Sequence, residues 1–292
     1  MEVTKMKRNL TKELVQQFKS YLINEEKSPA TISKYVHDVE QFAKWICYSE
    51  FDKSDVLTYK AYLTEQYAPA SVNSVLSSMN CFFVYNEWFE LRVKSLKIQR
   101  QIFASTDKEL NKAEYERLLN AAKNKKNLRL YLLMQTICST GIRVSELKFI
   151  TVEAVRSGRA DIRCKGKNRT VFLPRQLCGI LRKYITNHKI KNGSVFVTRN
   201  GNPLDRSNIW NDMKKLCKEA GVSEKKVFPH NLRHLFARTY YNLQKDVVRL
   251  ADILGHASVN TTRIYTMESG DVHRKQIQKL GLCCEYFQRG RE

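Results

Sequence analysis

One rhythm governs most of this chain: apolar residues recur at steps of three and four, the spacing that lines one face of an α-helix. It begins at Leu10–Phe18 and continues to Tyr21-Leu22. A second face is Ile32, Tyr35, Val39, Phe42 and Trp45-Ile46, opened by Ser28 as a cap and Pro29 at the first helical position. A short helix is predicted around Val56–Tyr67. Another is predicted over Ala70–Phe89, with Val72, Val75, Leu76, Met79, Phe82-Phe83 and Trp88 on its faces. Helices this closely spaced predict a small all-α domain over residues 1–94.

Residues 95–110 carry sparse apolar periodicity and mixed charge, and read as an interdomain linker. Asn111 with Glu114 three residues on has the form of a capping box, so a second domain is predicted over 111–270. Leu128–Cys138 is a strongly apolar helix that breaks at Ser139-Thr140-Gly141 and resumes over Val144–Phe149. One stretch departs from the helical rhythm. Ala160–Cys164 and Thr170–Pro174 flank Lys165-Gly166-Lys167-Asn168-Arg169, two β-prone runs around a basic, glycine-containing turn. Val195-Phe196-Val197 reads as a third short strand ended by Asn200-Gly201. Helices are predicted again over Arg206–Ala220, Asn231–Leu243, Val247–Leu254 and Thr261–Thr266, with a tail over 271–292. The expected fold class is mainly α with a small antiparallel β-sheet.

Charge divides the same way. The chain has 51 Lys+Arg against 29 Asp+Glu, but residues 1–100 hold 14 and 12 of these and the remainder 37 and 17. A dispersed positive excess in one part, without a poly-Lys tail, favours a folded surface that cradles nucleic acid. The rival readings are a merely basic protein or one drawn to anionic lipid; the latter is disfavoured by the lack of a basic amphipathic helix. No apolar run reaches the length of a membrane span and the N-terminus has no signal-peptide core, so a cytoplasmic protein with no membrane partner is expected. The eight cysteines show no Cys-x-x-Cys and no zinc-finger spacing; no disulfide, metal or cofactor is expected.

Four short motifs in the basic part carry chemistry. In Thr140–Leu147, Arg143 follows a helix break and Glu146 lies three residues on, placed to fix a guanidinium fork or merely to form a surface ion pair. In Pro229–His234, His230 and Arg233 share one face at a helix start, an arrangement suited to an anion. His230 and His234 are four apart, but the Glu of a His-Glu-x-x-His helix and a third ligand are missing, which disfavours zinc; His234 reads as a buried structural residue. Leu254-Gly255-His256 has a glycine suited to end a helix and present the next side chain. Thr261–Thr266 holds Tyr265, nine residues after His256.

In that order, with the hairpin lysine between the first and second, the motifs resemble those of the tyrosine recombinase (phage integrase) family. The resemblance covers residues 105–270; the helical part is similar, more loosely, to that family's core-DNA-binding, SAM-like domain. It implies a catalytic set of Arg143, Lys165, His230, Arg233, His256 and Tyr265, with Lys167 as the alternative to Lys165. It implies Tyr265 as nucleophile and a 3′-phosphotyrosyl intermediate, with no cofactor. Arg143 and Arg233 would clamp the nonbridging oxygens, His230 would accept the phenol proton, His256 would bond the phosphate and Lys165 would protonate the leaving 5′ oxygen. The implied partners are double-stranded DNA with inverted-repeat core sites and three further copies of the chain, a tetramer on two duplexes. The 271–292 tail would pack on a neighbouring protomer or close its own domain; accessory or directionality factors are left open. The short N-terminal part suggests a member without an arm-binding domain, which leaves integration, cassette exchange and dimer resolution unseparated. A type IB topoisomerase and a non-catalytic DNA-binding protein on the same scaffold are the alternatives.

Overall fold

The computed structural model describes residues 7–98, 108–164, 167–198, 200–256, 258–266 and 270–282. The chain divides into two compact units, 1–100 and 101–292, each with its own hydrophobic core.

In the first unit α1 (Lys12–Asn24), α2 (Pro29–Trp45), α3 (Lys53–Gln66) and α4 (Pro69–Tyr85) form most of the chain. Their starts follow from local chemistry. Ser28 Oγ accepts the Thr31 amide and Pro29 occupies the first turn of α2. Asp52 caps α3, and Asp55 Oδ2 in turn accepts the Asp52 amide at 2.8 Å. The apolar faces converge on Phe18, Phe42, Phe51, Phe82 and Phe83, all essentially buried. Phe18–Phe82 and Phe42–Phe51 meet edge to face at 5.2 Å. Two features depart from the periodicity. Residues β1 (Arg8–Asn9) and β2 (Glu50–Phe51) pair as a small antiparallel ribbon. The last helix stops at Tyr85 instead of Phe89, because Glu87 takes a left-handed φ of 58° and the chain re-enters as a 3-10 turn at Phe89–Leu91.

The second unit runs α5 (Lys112–Asn124), α6 (Leu128–Thr140), α7 (Val152–Ser157), β3 (Arg159–Cys164), β4 (Lys167–Phe172), α8 (Arg175–Asn187), α9 (Arg206–Lys214), α10 (Cys217–Ala220), α11 (Pro229–Gln244), α12 (Val247–Leu254), α13 (Val259–Thr262) and α14 (Gly270–Lys279). The Asn111–Glu114 capping box opens α5, with both reciprocal bonds made. β3 and β4 pair antiparallel from Arg159↔Phe172 to Cys164↔Lys167. Ala160, Ile162 and Val171 are buried while Arg159, Asp161, Arg163, Thr170 and Phe172 face water. Helix α11 packs along α6.

Several local expectations need correction. Val144–Phe149 is a 3-10 helix, not a continuation of α6. Arg206–Ala220 breaks into α9 and α10, and Tyr265 lies on a 3-10 turn following α13. Val195–Val197 is not a strand of a sheet. Among the described residues it is flanked by the isolated bridges Thr151↔Ser194 and Val197↔Pro203 and joins no ladder. Helices α7 and α8 are additional to those expected from the sequence; in α8, Leu177, Cys178, Leu181 and Tyr184 form a buried helical face. The expected linker falls mostly on residues 99–107, outside the described residues.

Candidate active site

The site is built around one buried cation. Arg233, on the first turns of α11, is 1% exposed. Its Nη1 donates to the Gly141 carbonyl at 2.7 Å, and its Nη2 to the Leu254 carbonyl at 2.8 Å and to His256 Nε2 at 2.9 Å. Burial, then the Arg143 charge, brings its pKa down to about 10, so it remains a cation at neutral pH. Both carbonyls come from helix ends. Gly141 and Gly255 sit in left-handed conformations (φ 67° and 64°) after α6 and α12, where carbonyls lack helical partners. A single guanidinium thus fastens three segments that are distant in sequence.

Arg143 follows directly on the first of these ends. Its amide donates to Glu146 Oε2 at 2.8 Å and its Nη1 to Glu146 Oε1 at 2.9 Å. Glu146 is 2% exposed, whereas the Arg143 side chain is 42% exposed. The pair is therefore a buried carboxylate aiming a cation outward, not a surface ion pair. A second cation reaches the same carboxylate: Arg169 Nη2, from β4, lies 2.7 Å from Glu146 Oε2.

Tyr265 is buried at 2% exposure. Its ring stands edge-on to His234 at 4.5 Å and parallel to His256 at 6.1 Å. His256 Nε2 accepts from Arg233, so Nδ1 carries the proton and donates to Thr262 Oγ1 at 2.8 Å. Burial, then the charges of Arg233, Arg143 and Arg169, pulls His256 down to about 4. His234 also falls to about 4, through burial, His230 and Arg233. His230 lies 5.2 Å from the His234 ring; it keeps a solvent-facing edge, and crowding by protein followed by Arg233, Arg206 and Arg143 lowers its pKa. His234 and His256 are therefore neutral at pH 7, and the shift at His230 runs in the same direction.

Five of the six residues singled out in the sequence, Arg143, His230, Arg233, His256 and Tyr265, gather in this region through the contacts just given. The sixth, Lys165, lies outside the described residues. Sequence reasoning missed Arg169 and Thr262. Arg169 carried a signal: in a two-residue alternation it is in phase with the buried Val171 and Leu173, so it is a charge on an inward face. Among the described residues, no three His, Cys, Asp or Glu side chains are grouped to hold a metal, and no helix is long and apolar enough to cross a membrane.

Residues 108–270 match the phage integrase family and residues 15–88 match the phage integrase N-terminal SAM-like domain. The chain belongs to the phage integrase family, and its function is site-specific DNA recombination by a tyrosine recombinase. It is 30% identical over 281 residues to tyrosine recombinase XerA of Thermococcus kodakarensis, covering 92% of this chain and 96% of that protein. Its fold is similar to that of XerH site-specific recombinase bound to difH substrate (TM-score 0.68, 22% identity, 92% of this chain and 84% of that one). It is similar also to a lambda integrase tetramer bound to a Holliday junction (TM-score 0.71, 15% identity, 90% and 78%).

Proposed function

We propose that Tyr265 cleaves one strand of a DNA core site while Arg143 and Arg233 grip the scissile phosphate. The observation that carries this reading is the convergence of Arg233, His256 and Tyr265 on one another, with the Arg143 cation held outward beside them. The Tyr265 oxygen bonds to phosphorus as the bond to the 5′ oxygen breaks, leaving a 3′-phosphotyrosyl ester and a free 5′-hydroxyl. The ester conserves the bond energy, so a second 5′-hydroxyl rejoins the strand without a nucleotide cofactor. A free phenol titrates near 10 and is a weak nucleophile at neutral pH. His230, whose pKa is lowered by burial and the neighbouring arginines, is the acceptor for its proton. Lys165 delivers a proton to the departing oxygen. The two guanidinium groups neutralise charge that grows on the nonbridging oxygens, where planar forks serve better than ammonium groups. His256 holds the Arg233 fork in place rather than donating to the phosphate, because its Nε2 accepts from Arg233 and its Nδ1 proton goes to Thr262.

The strongly basic residues 101–292 supply most of the contacts to DNA phosphates, and the helical domain reads the groove. Inverted-repeat core sites, a tetramer on two duplexes and action in the cytoplasm complete the reading; the XerH and lambda integrase complexes, bound to difH substrate and to a Holliday junction, support its DNA and assembly parts. Residues 1–94 are assigned to the core-DNA-binding domain, 95–110 to the linker and 111–270 to the catalytic domain. The 271–292 tail carries the exposed Ile277, Leu280 and Leu282, an apolar edge suited to a neighbouring protomer.

The test uses a library of nicked duplexes. Wild-type protein yields a denaturant-resistant adduct whose DNA can be sequenced, Tyr265→Phe yields none, and Tyr240→Phe behaves as wild type. Absence of any wild-type adduct refutes the enzyme reading. Loss of the adduct in Tyr240→Phe but not in Tyr265→Phe refutes the assignment of the nucleophile.

A further inference from the structure

We infer that Arg169 is a positioning residue that keeps the Arg143 charge available to the phosphate by sharing the buried Glu146 carboxylate; the inference rests on the reading of Arg143 given above. The argument is one of charge balance. Glu146 is 2% exposed and its two oxygens are already engaged by the Arg143 amide and guanidinium. Facing Arg143 alone, that carboxylate would cancel the cation that is to face DNA, because a pair of opposite charges at 2.9 Å presents little net field a few ångströms away. Arg169 changes the balance. Its Nη2 lies 2.7 Å from Glu146 Oε2, so two guanidinium groups share one carboxylate and the trio carries a net positive charge. Exposure decides which of the two is free to act: the Arg169 side chain is 14% exposed and that of Arg143 42%. Arg169 is the rear partner and Arg143 the forward one.

The same residue fastens the hairpin to the other half of the site. Arg169 Nη1 donates to the Ile253 carbonyl at 3.2 Å, in the last turn of α12. Its chain lies against Gly255, where a methyl group would stand 2.5 Å from Nη1 and 2.7 Å from Cδ. Gly255 therefore serves two needs: the left-handed turn before His256, and room for Arg169. Strand β4, the Arg143 segment and the His256 turn are thereby held to one another by a side chain that is itself only 14% exposed. The arrangement explains why an arginine stands in phase with Val171 and Leu173 on the inward face of β4.

The test is a double-mutant cycle on the rate of single-turnover cleavage. Its probe is the duplex recovered from wild-type adducts, nicked beside the cleaved bond so that the released strand diffuses away. Arg169→Gln is expected to slow cleavage by up to about 10²-fold in the wild-type background, because Glu146 then offsets the Arg143 charge proposed to face the phosphate. In the Glu146→Gln background, where there is no carboxylate to share, the same change is expected to cost less than about 5-fold. Arg169→Lys, which keeps the charge without the reach to Ile253, is expected to recover about 10-fold of the loss. Duplex affinity and its salt dependence are expected to stay as in wild type, since the Arg169 side chain is largely buried. Equal penalties in the two backgrounds reduce Arg169 to a structural role and overturn the inference, as does wild-type cleavage by Arg169→Gln. If Arg169→Gln loses its cooperative melting transition, the comparison is carried by Arg169→Lys in the two backgrounds. A wild-type protein that forms no adduct refutes the recombinase mechanism itself, a result distinct from any change confined to the variants.

Discussion

Replacing Arg233 by lysine keeps the charge and removes the fork, so it separates what the guanidinium does as a cation from what it does as a joint. Arg233 serves three acceptors, the Gly141 and Leu254 carbonyls and His256 Nε2, at 2.7 to 2.9 Å from two different nitrogens. A lysine has one nitrogen and cannot occupy both positions. At 1% exposure no water compensates, and each buried acceptor left without a donor costs about 1–3 kcal/mol. With one or two acceptors abandoned, the loss should be about 3 kcal/mol, equivalent to roughly 6–12 °C in the melting temperature of a domain this size. Cleavage should fall further, by about 10² to 10³, because the proposed planar contact to a nonbridging oxygen is lost as well. Calorimetry reads the first effect, and denaturing gels of the covalent adduct the second. An Arg233→Lys protein that melts within about 2 °C of wild type would refute the claim that this side chain joins the three segments. One that also cleaves at the wild-type rate would refute its role at the phosphate.

Two further outcomes follow from the same geometry. Gly141→Ala places a methyl group 2.4 Å from Phe236 Cδ1 in a backbone with φ 67°, so it should destabilise the second unit by about 2–4 kcal/mol, and a variant that melts like wild type would show that Phe236 swings away freely. His234 and His256 have folded pKa values near 4 against about 6.5 when unfolded. The unfolded chain therefore binds protons that the folded chain does not as pH drops from about 6.5 to 4. Melting temperature should fall through that window and hold above it, more steeply than in the His234→Gln, His256→Asn double variant; a flat or rising profile would contradict the burial argument.

Much of the site's scaffold was legible because it depends on neighbours in sequence. Pro229 opening α11, Gly255 ending α12, Ser28 capping α2 and the Asn111–Glu114 box each act within a few residues, and each element forms where those signals stand. The ordered spacing of Arg143, His230, Arg233, His256 and Tyr265 was legible as a resemblance, because a reaction at a phosphate restricts which side chains can serve. Less was legible where secondary structure depends on a partner. Val195–Val197 has the composition of a strand but finds only isolated bridges, and Arg8–Asn9 is a strand only because Glu50–Phe51 lies beside it. Helix α8 does carry a sequence signal, the apolar face Leu177, Cys178, Leu181 and Tyr184.

By itself the sequence determined the helical class, the one main hairpin, the uneven distribution of charge and the set of side chains proposed to react, because periodicity, capping and residue chemistry are local properties. Only the tertiary structure decided that Glu146 is buried, that Arg233 closes on carbonyls 92 and 21 residues away, and that Arg169 reaches a carboxylate 23 residues before it. Those pairings arise when separate helix ends and a strand are packed into one low-dielectric space, where an unpaired charge or carbonyl is costly. No spacing along the chain encodes which of many arginines will supply the missing partner.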